Sequence, residues 1–173
     1  MNYHRHQLAR RRQPHLLSLE EIVSESAISN SAAAKQTREG SMARILFVGF
    51  DPETVDYSDP ALPPGMTAEK IHAGIAVAMK QFAERGWEAE LAFIRPDETA
   101  GATVERHLGS GSYDCVVIGA GVRLPPRHLA IFEIVINAVH WAAPNATIAF
   151  NTRPEDSADA AARWLPGGKS VIA

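Results

Sequence analysis

Residues 45–50, Ile-Leu-Phe-Val-Gly-Phe, form a short and almost wholly apolar run. Two further apolar runs follow at residues 113–118 and 147–150, and a more polar run with alternating apolar residues lies at 87–94. A strand with apolar side chains on both faces is typical of a parallel sheet covered by helices, because neither face then meets water. The four runs therefore predict four strands of such a sheet.

Helices are predicted between these strands. The apolar residues of the segment 67–85 recur at helical spacing, at Ile71, Ile75, Ala78 and Phe82. Gly86 follows and supplies the usual left-handed end of a helix. Further helices are predicted at residues 97–108, 125–141 and 152–164. Strand and helix thus alternate four times, which indicates an α/β fold.

The fold class follows from this alternation. We predict a three-layer α/β domain, Rossmann-like or flavodoxin-like, with a four-stranded parallel sheet in the order 2-1-3-4 and helices on both faces. The second strand, residues 87–94, is the most polar of the four. An edge position suits it, because an edge strand has one side open to water.

Domain organisation separates residues 1–41 from the rest. This segment is polar and contains one short helical candidate at residues 16–28. We expect it to be disordered or partly helical. Three origins stay open: a native extension, an overlong gene start, or a leader. Residues 42–173 are predicted to form a single α/β domain.

Composition argues against several classes of protein. The chain has 173 residues, of which 46% are hydrophobic and 21% charged, as in ordinary globular domains. Its net charge of −3 gives no reason to expect a nucleic-acid partner. It has no apolar run of the roughly 20 residues that a membrane helix needs. We therefore expect a cytoplasmic protein without membrane or nucleic-acid partners.

Cys115 is the one cysteine of the chain, so no intrachain disulfide can form. That fits a reducing compartment. Because it lies within the predicted third strand, we interpret it as a small core residue. The alternative, a catalytic thiol, requires exposure and a lowered pKa.

A ligand site is expected beyond the carboxyl ends of the first and third strands, where the winding direction of such a sheet reverses. The loop 51–66 would form one wall; it is rich in proline and carries four acidic residues. Asp51 and Asp56 are candidates for a catalytic base or for holding a cation. The alternative is a solvated lid whose carboxylates pair with an arginine: Arg123, Arg127 or Arg153.

The opposite wall is predicted after the third strand. Gly119 and Gly121 would let the backbone approach a ligand, and Arg123 would clamp an anion. The alternative is a tight structural turn. The full glycine pattern of dinucleotide-binding proteins is absent.

Three candidates follow the fourth strand. Asn151, Thr152 and Arg153 lie at the predicted start of the last helix. Thr152 would cap that helix first and bind a ligand second, while Arg153 would reach over the crevice. Histidine and cysteine spacings typical of zinc sites are missing from the sequence, so no metal ligand is assigned and the cofactor is unknown.

The predicted helix 125–141 is unusually apolar. A helix that packs on a sheet alone needs an apolar face of about 100°, and this one carries more. A homodimer through this helix explains the excess. The alternative is burial under the N-terminal segment or the C-terminal tail.

The layout of residues 44–165 resembles flavodoxin-like proteins and response-regulator receiver domains. The resemblance implies the fold. It does not extend to function, because the first loop is acidic and Gly119 and Ala120 stand where receivers carry their phospho-accepting aspartate. Residues 49–52, Gly-Phe-Asp-Pro, resemble the start of pyroglutamyl peptidases, but a Cys-His-Glu set is lacking if Cys115 is buried.

Two hypotheses of function remain. The first is a dimeric ligand-binding or protein-interaction module that takes a small anionic ligand. The second is a small hydrolase or transferase that acts on an anionic substrate in the crevice between the first and third strands.

Overall fold

The computed structural model describes residues 42–60 and 62–165. The predictions for residues 1–41, and for the end of the domain at residue 173, lie outside the described residues.

The four predicted strands are present and form one parallel sheet. Their bounds are Arg44–Phe50 (β1), Glu88–Ile94 (β2), Cys115–Ile118 (β3) and Thr147–Phe150 (β4). The strand order is β2-β1-β3-β4, so the predicted order 2-1-3-4 is confirmed. β1 and β3 are therefore neighbours, and their carboxyl ends share one edge of the sheet.

Five α-helices surround this sheet in the part of the chain that the structure describes. They span Ala68–Glu84 (α1), Ala100–Leu108 (α2), Ala120–Arg123 (α3), Leu129–Ala142 (α4) and Ser157–Ala162 (α5). Single 3-10 turns precede two of them, at Pro126–His128 and Pro154–Asp156, and a third follows β1 at Pro52–Thr54.

The helix predicted at residues 97–108 begins at Ala100, and the last two predicted helices begin later by four and five residues. The segment 125–141 becomes α-helical only at Leu129, and the segment 152–164 only at Ser157. Proline is the physical reason, because the residue before a proline is pushed out of the helical region. Pro125, which precedes Pro126, has ψ of 125°, and Arg153, which precedes Pro154, has ψ of 161°.

Each face of the sheet has its own core, which makes the molecule three layers deep. One core joins alternate residues of β1 and β3 to α2 and α4; it includes Leu46, Val48, Val116, Ile118 and Val135. The other joins the remaining residues to α1 and α5; it includes Ile45, Phe47, Val117, Phe82 and Ala161. Cys115 is fully buried in this second core, which confirms its interpretation as a core residue.

Some of the many apolar side chains of α4 are buried by contacts within the chain itself. Val135 and Val139 are buried on the sheet side. A second side of the helix packs on α2, where Gly101 approaches Ile134 so closely that an added Cβ would lie 2.8 Å from its Cγ2. Leu129 and Trp141 remain 59% and 78% exposed.

Among residues 42–60 and 62–165, no helix combines the length and the apolar composition that crossing a bilayer requires.

Candidate functional site

The predicted site residues lie at the carboxyl edge of the sheet, as their positions after the strands require. Asp51 follows β1, Gly119 follows β3, and Asn151 follows β4. Because β1, β3 and β4 are consecutive strands of the sheet, these three residues lie along one edge. Their roles differ, because hydrogen bonds within the protein already occupy the side chains of Asp51 and Asn151.

Asn151 is an internal brace of this edge. Only 2% of the residue is exposed. Its Oδ1 accepts a hydrogen bond from the Ala120 backbone N–H at 2.7 Å, and its Nδ2 donates to Ser157 Oγ at 2.8 Å. The amide therefore connects β4 to the first residue of α3 and to the first residue of α5.

Arg123 is half-buried and has a fixed orientation. One terminal guanidinium nitrogen donates to the Asn151 carbonyl oxygen at 3.0 Å, and the guanidinium carbon lies 5.3 Å from the centroid of the Phe150 ring. Its Nε is buried, with no hydrogen-bond partner in the part of the chain that the structure describes. A buried donor without a partner costs about 1–3 kcal/mol.

The glycines of the second wall differ in what they do. Gly119 donates its N–H to the Val48 carbonyl oxygen at 2.8 Å. A Cβ at Gly119 would lie 3.2 Å from that oxygen and 3.7 Å from the Gly49 Cα, so only glycine permits this approach without a shift. A Cβ at Gly121 would reach the Phe50 ring at an ordinary 4.0 Å. A side chain at residue 119 would therefore make a tight contact with the β1 backbone, whereas one at residue 121 would make an ordinary contact.

Gly49 is a candidate that the sequence analysis missed. It belongs to β1, and its Cα lies close to Gly119, which follows the neighbouring strand β3. A Cβ built on Gly49 would meet no atom within 4 Å. The space beside it is open, at the edge where ligands bind in parallel sheets. A glycine within an otherwise apolar strand often marks a close approach to the backbone, and that signal was present in residues 45–50.

The two candidate aspartates of the first wall form turns within their own loop. Asp51 Oδ1 accepts from the Glu53 N–H at 3.0 Å. Asp56 Oδ1 accepts from Ser58 Oγ at 2.6 Å and from the Ser58 N–H at 3.0 Å. These hydrogen bonds, the one from the Ser58 hydroxyl first, lower the pKa of Asp56. The described part of the chain contains no cluster of three acidic, histidine or cysteine side chains that could hold a metal ion.

The two walls are joined by an ion pair between Asp59 and Arg127. Only 8% of the Asp59 side chain is exposed. Arg127 is one of the three arginines named as partners in the lid interpretation of this loop. Arg127 Nε also donates to His128 Nε2 at 3.1 Å, and His128 Nδ1 lies 2.9 Å from the Gly121 carbonyl oxygen.

Thr152 and Arg153 are organised by Asp156. Its carboxylate accepts from the Thr152 N–H at 3.0 Å, from the Arg153 N–H at 3.4 Å, and from the Thr152 hydroxyl. The carboxylate thus reaches back to cap the turn, and the Thr152 hydroxyl serves as donor. The side chain of Arg153 is exposed at the same edge.

Comparison with known proteins adds no functional information: no protein-family model, no curated protein and no solved structure matches the chain.

The carboxyl edge of the sheet combines an oriented guanidinium, an open space beside a central strand, and a loop held across the edge by an ion pair. Within the described residues, no serine, threonine or cysteine side chain is hydrogen-bonded to a histidine ring, which is the usual arrangement of an activated nucleophile.

Proposed function

We propose that the protein is a small Rossmann-like module that binds a small anionic ligand at the carboxyl edge of β1 and β3. The observation that carries the proposal is the buried Arg123 Nε, which lacks a partner among the described residues. A guanidinium offers five N–H donors and no acceptor, so its natural complement is an oxyanion.

The surrounding residues support such a ligand in different ways. Gly49 leaves open space beside the sheet edge, and Gly119 allows the backbone after β3 to approach Val48 and Gly49 of β1. Arg153 adds a second, exposed positive charge. Asn151 would not contact the ligand through its engaged amide; it holds Arg123 through its backbone carbonyl oxygen.

The test uses inorganic phosphate as the probe. Its binding to the native state raises the free energy of unfolding by about 2.7 kcal/mol at a concentration of one hundred times Kd. We expect phosphate to raise the melting temperature of the wild-type protein above that of a chloride control at equal ionic strength. Arg123→Lys, which keeps the charge but removes Nε and the planar fork, should lose most of this stabilisation.

The matched control is Arg95→Lys. Arg95 is 66% exposed and pairs with Asp97, outside the residues assigned to the site. It should respond to phosphate as the wild type does. An equal stabilisation by phosphate in Arg123→Lys, or no stabilisation in the wild type, would contradict the proposal.

The alternative function, a hydrolase or transferase, has its own test. Turnover of a phosphate or carboxylate ester that is lost in Asp51→Asn, with phosphate binding retained, would favour it.

We also propose that two copies associate through α4 and that the protein works in the cytoplasm. Exposed Leu129 and Trp141 support association, and a single buried cysteine suits a reducing compartment. A Leu129→Gln/Trp141→Gln variant should sediment as a monomer where the wild type sediments as a dimer. Val77→Gln, at another exposed apolar residue (42%) on α1, is the control. A monomeric wild type would contradict the dimer.

A further inference from the structure

We propose that His128 is a pH-sensitive latch that holds residues 51–60, which we call the acidic segment, across the crevice. At neutral pH the latch is closed, and protonation of the imidazole releases it. The regulatory meaning rests on the proposed function, because the acidic segment borders the proposed ligand site. The latch itself can be tested without any ligand.

The latch consists of three side chains in series. Asp59 of the acidic segment forms an ion pair with Arg127. Arg127 Nε donates to His128 Nε2 at 3.1 Å. The His128 ring also packs edge-on against Phe50, with ring centroids 4.7 Å apart, so the imidazole is anchored to the end of β1. Arg127 thus lies between the carboxylate and the imidazole and depends on both.

These contacts require one protonation state of His128. The Gly121 carbonyl oxygen, 2.9 Å away, can only accept a hydrogen bond, so Nδ1 carries a proton. The Arg127 N–H can only donate, so Nε2 must present its lone pair. The geometry therefore fits the neutral ring with the proton on Nδ1.

Protonation removes the acceptor. An added proton on Nε2 would face the Arg127 N–H, and two cations would lie in contact. We expect Arg127 to leave the imidazolium and the acidic segment to lose its tie to the second wall.

The other charges around the ring do not reverse this effect. From the acidic segment, Asp56 and Asp59 interact with Arg127, which separates the Asp59 carboxylate from the ring. At the end of β1, Asp51 is engaged with the Glu53 N–H. On α3, the Arg123 guanidinium is engaged with the Asn151 carbonyl oxygen and lies over the Phe150 ring.

The test is hydrogen exchange of backbone amides in residues 51–60 of the full chain, without ligand. Rates at about pH 5 and about pH 7.5 are corrected for intrinsic exchange. In the wild type, protection of the acidic segment should fall by about tenfold at the lower pH, which is the loss of roughly one hydrogen bond. His128→Phe, which keeps a ring against Phe50, should show low protection at both pH values.

His140→Phe, at an exposed histidine of α4, is the control and should behave as the wild type does. Nitrogen NMR of the imidazoles gives a second readout: His128 should be protonated on Nδ1 at neutral pH. Protection that is unchanged by pH, pH-dependent protection that persists in His128→Phe, or the opposite tautomer would overturn the latch. Failure of phosphate binding at both pH values, with protection still switching, would overturn only the proposed ligand.

Discussion

Asn151 Nδ2 donates a hydrogen bond to Ser157 Oγ at 2.8 Å, between residues that are 2% and 0% exposed. Ser157 Oγ in turn donates to the Pro154 carbonyl oxygen at 2.6 Å. At the other end of the same side-chain amide, Asn151 Oδ1 accepts a hydrogen bond from the Ala120 N–H. One buried amide therefore fixes the starts of α3 and α5, which pack on opposite faces of the sheet. The carboxyl edge is rigid at this point because the amide has partners on both sides.

Asn151→Ala should lower the free energy of unfolding by about 2–4 kcal/mol, because it leaves the Ala120 N–H without its partner and deprives Ser157 of its donor. Urea unfolding measures the change. Asn145→Ala, at an exposed turn position, is the control and should lie within about 0.5 kcal/mol of the wild type. Equal effects of the two substitutions would mean that the Asn151 amide has no structural role.

Gly101→Ala should destabilise the protein, although alanine is the better helix former by about 1 kcal/mol. The new Cβ would lie 2.8 Å from Ile134 Cγ2, and overpacking of this kind costs about 1–3 kcal/mol. Ile134→Leu removes the branch at Cβ and should recover part of the loss. Ile134→Val keeps Cγ2 and should recover none. Thermal unfolding of the wild type, the three single variants and the two double variants measures the coupling, and equal rescue by valine and leucine would contradict the contact.

The fold could be predicted because its signals are local and redundant. Each of the central strands carries apolar residues on both faces, and such a run is stable only between two helical layers. The polar second strand was correctly predicted as an edge. The starts of the last two helices were predicted too early, because apolar spacing continued through Pro126 and Pro154 while the backbone before each proline had to be extended.

The location of the candidate site could be predicted from the sequence, but the hydrogen-bond and ion-pair partners of its residues could not. Its place followed from topology. The partners of Asn151 and Asp59 could not be predicted, because they depend on which residues of distant segments come into contact. Asn151 accepts a hydrogen bond from the Ala120 N–H, and Asp59 forms an ion pair with Arg127. Thr152 was predicted to cap the last helix, whereas the Asp156 carboxylate caps the turn and the Thr152 hydroxyl donates to it.

Cys115 should be inert in the native protein. It is fully buried, and burial raises the pKa of its thiol to about 11. At about pH 8 the reactive thiolate is then roughly a thousandth of the thiol, before steric exclusion is counted. A disulfide reagent such as Ellman's should react rapidly with one thiol in guanidinium chloride and at least about a thousandfold more slowly in native buffer. Rapid labelling of the native protein would instead indicate an exposed, activated thiol.

Glu90 should make folding stability depend on acid pH. Its carboxylate accepts from the Tyr113 hydroxyl and from His107 Nδ1, each at 2.6 Å. These bonds, the one from Tyr113 first, lower the pKa of Glu90 from its usual 4.5. A carboxylate whose pKa is depressed by folding stabilises the native state at pH values above its unfolded pKa, and that contribution is lost as pH falls through the folded pKa.

The measurement is the difference in free energy of unfolding between wild type and Glu90→Gln, from urea titrations at about pH 6 and at successively lower values. We expect the wild type to be the more stable at about pH 6 and the difference to shrink as the pH falls below the usual range of a glutamate. Tyr113→Phe keeps the carboxylate but removes its first donor, so the difference measured in that background should be smaller and should vary less with pH. A difference that stays constant with pH would show that Glu90 contributes through packing and not through its charge.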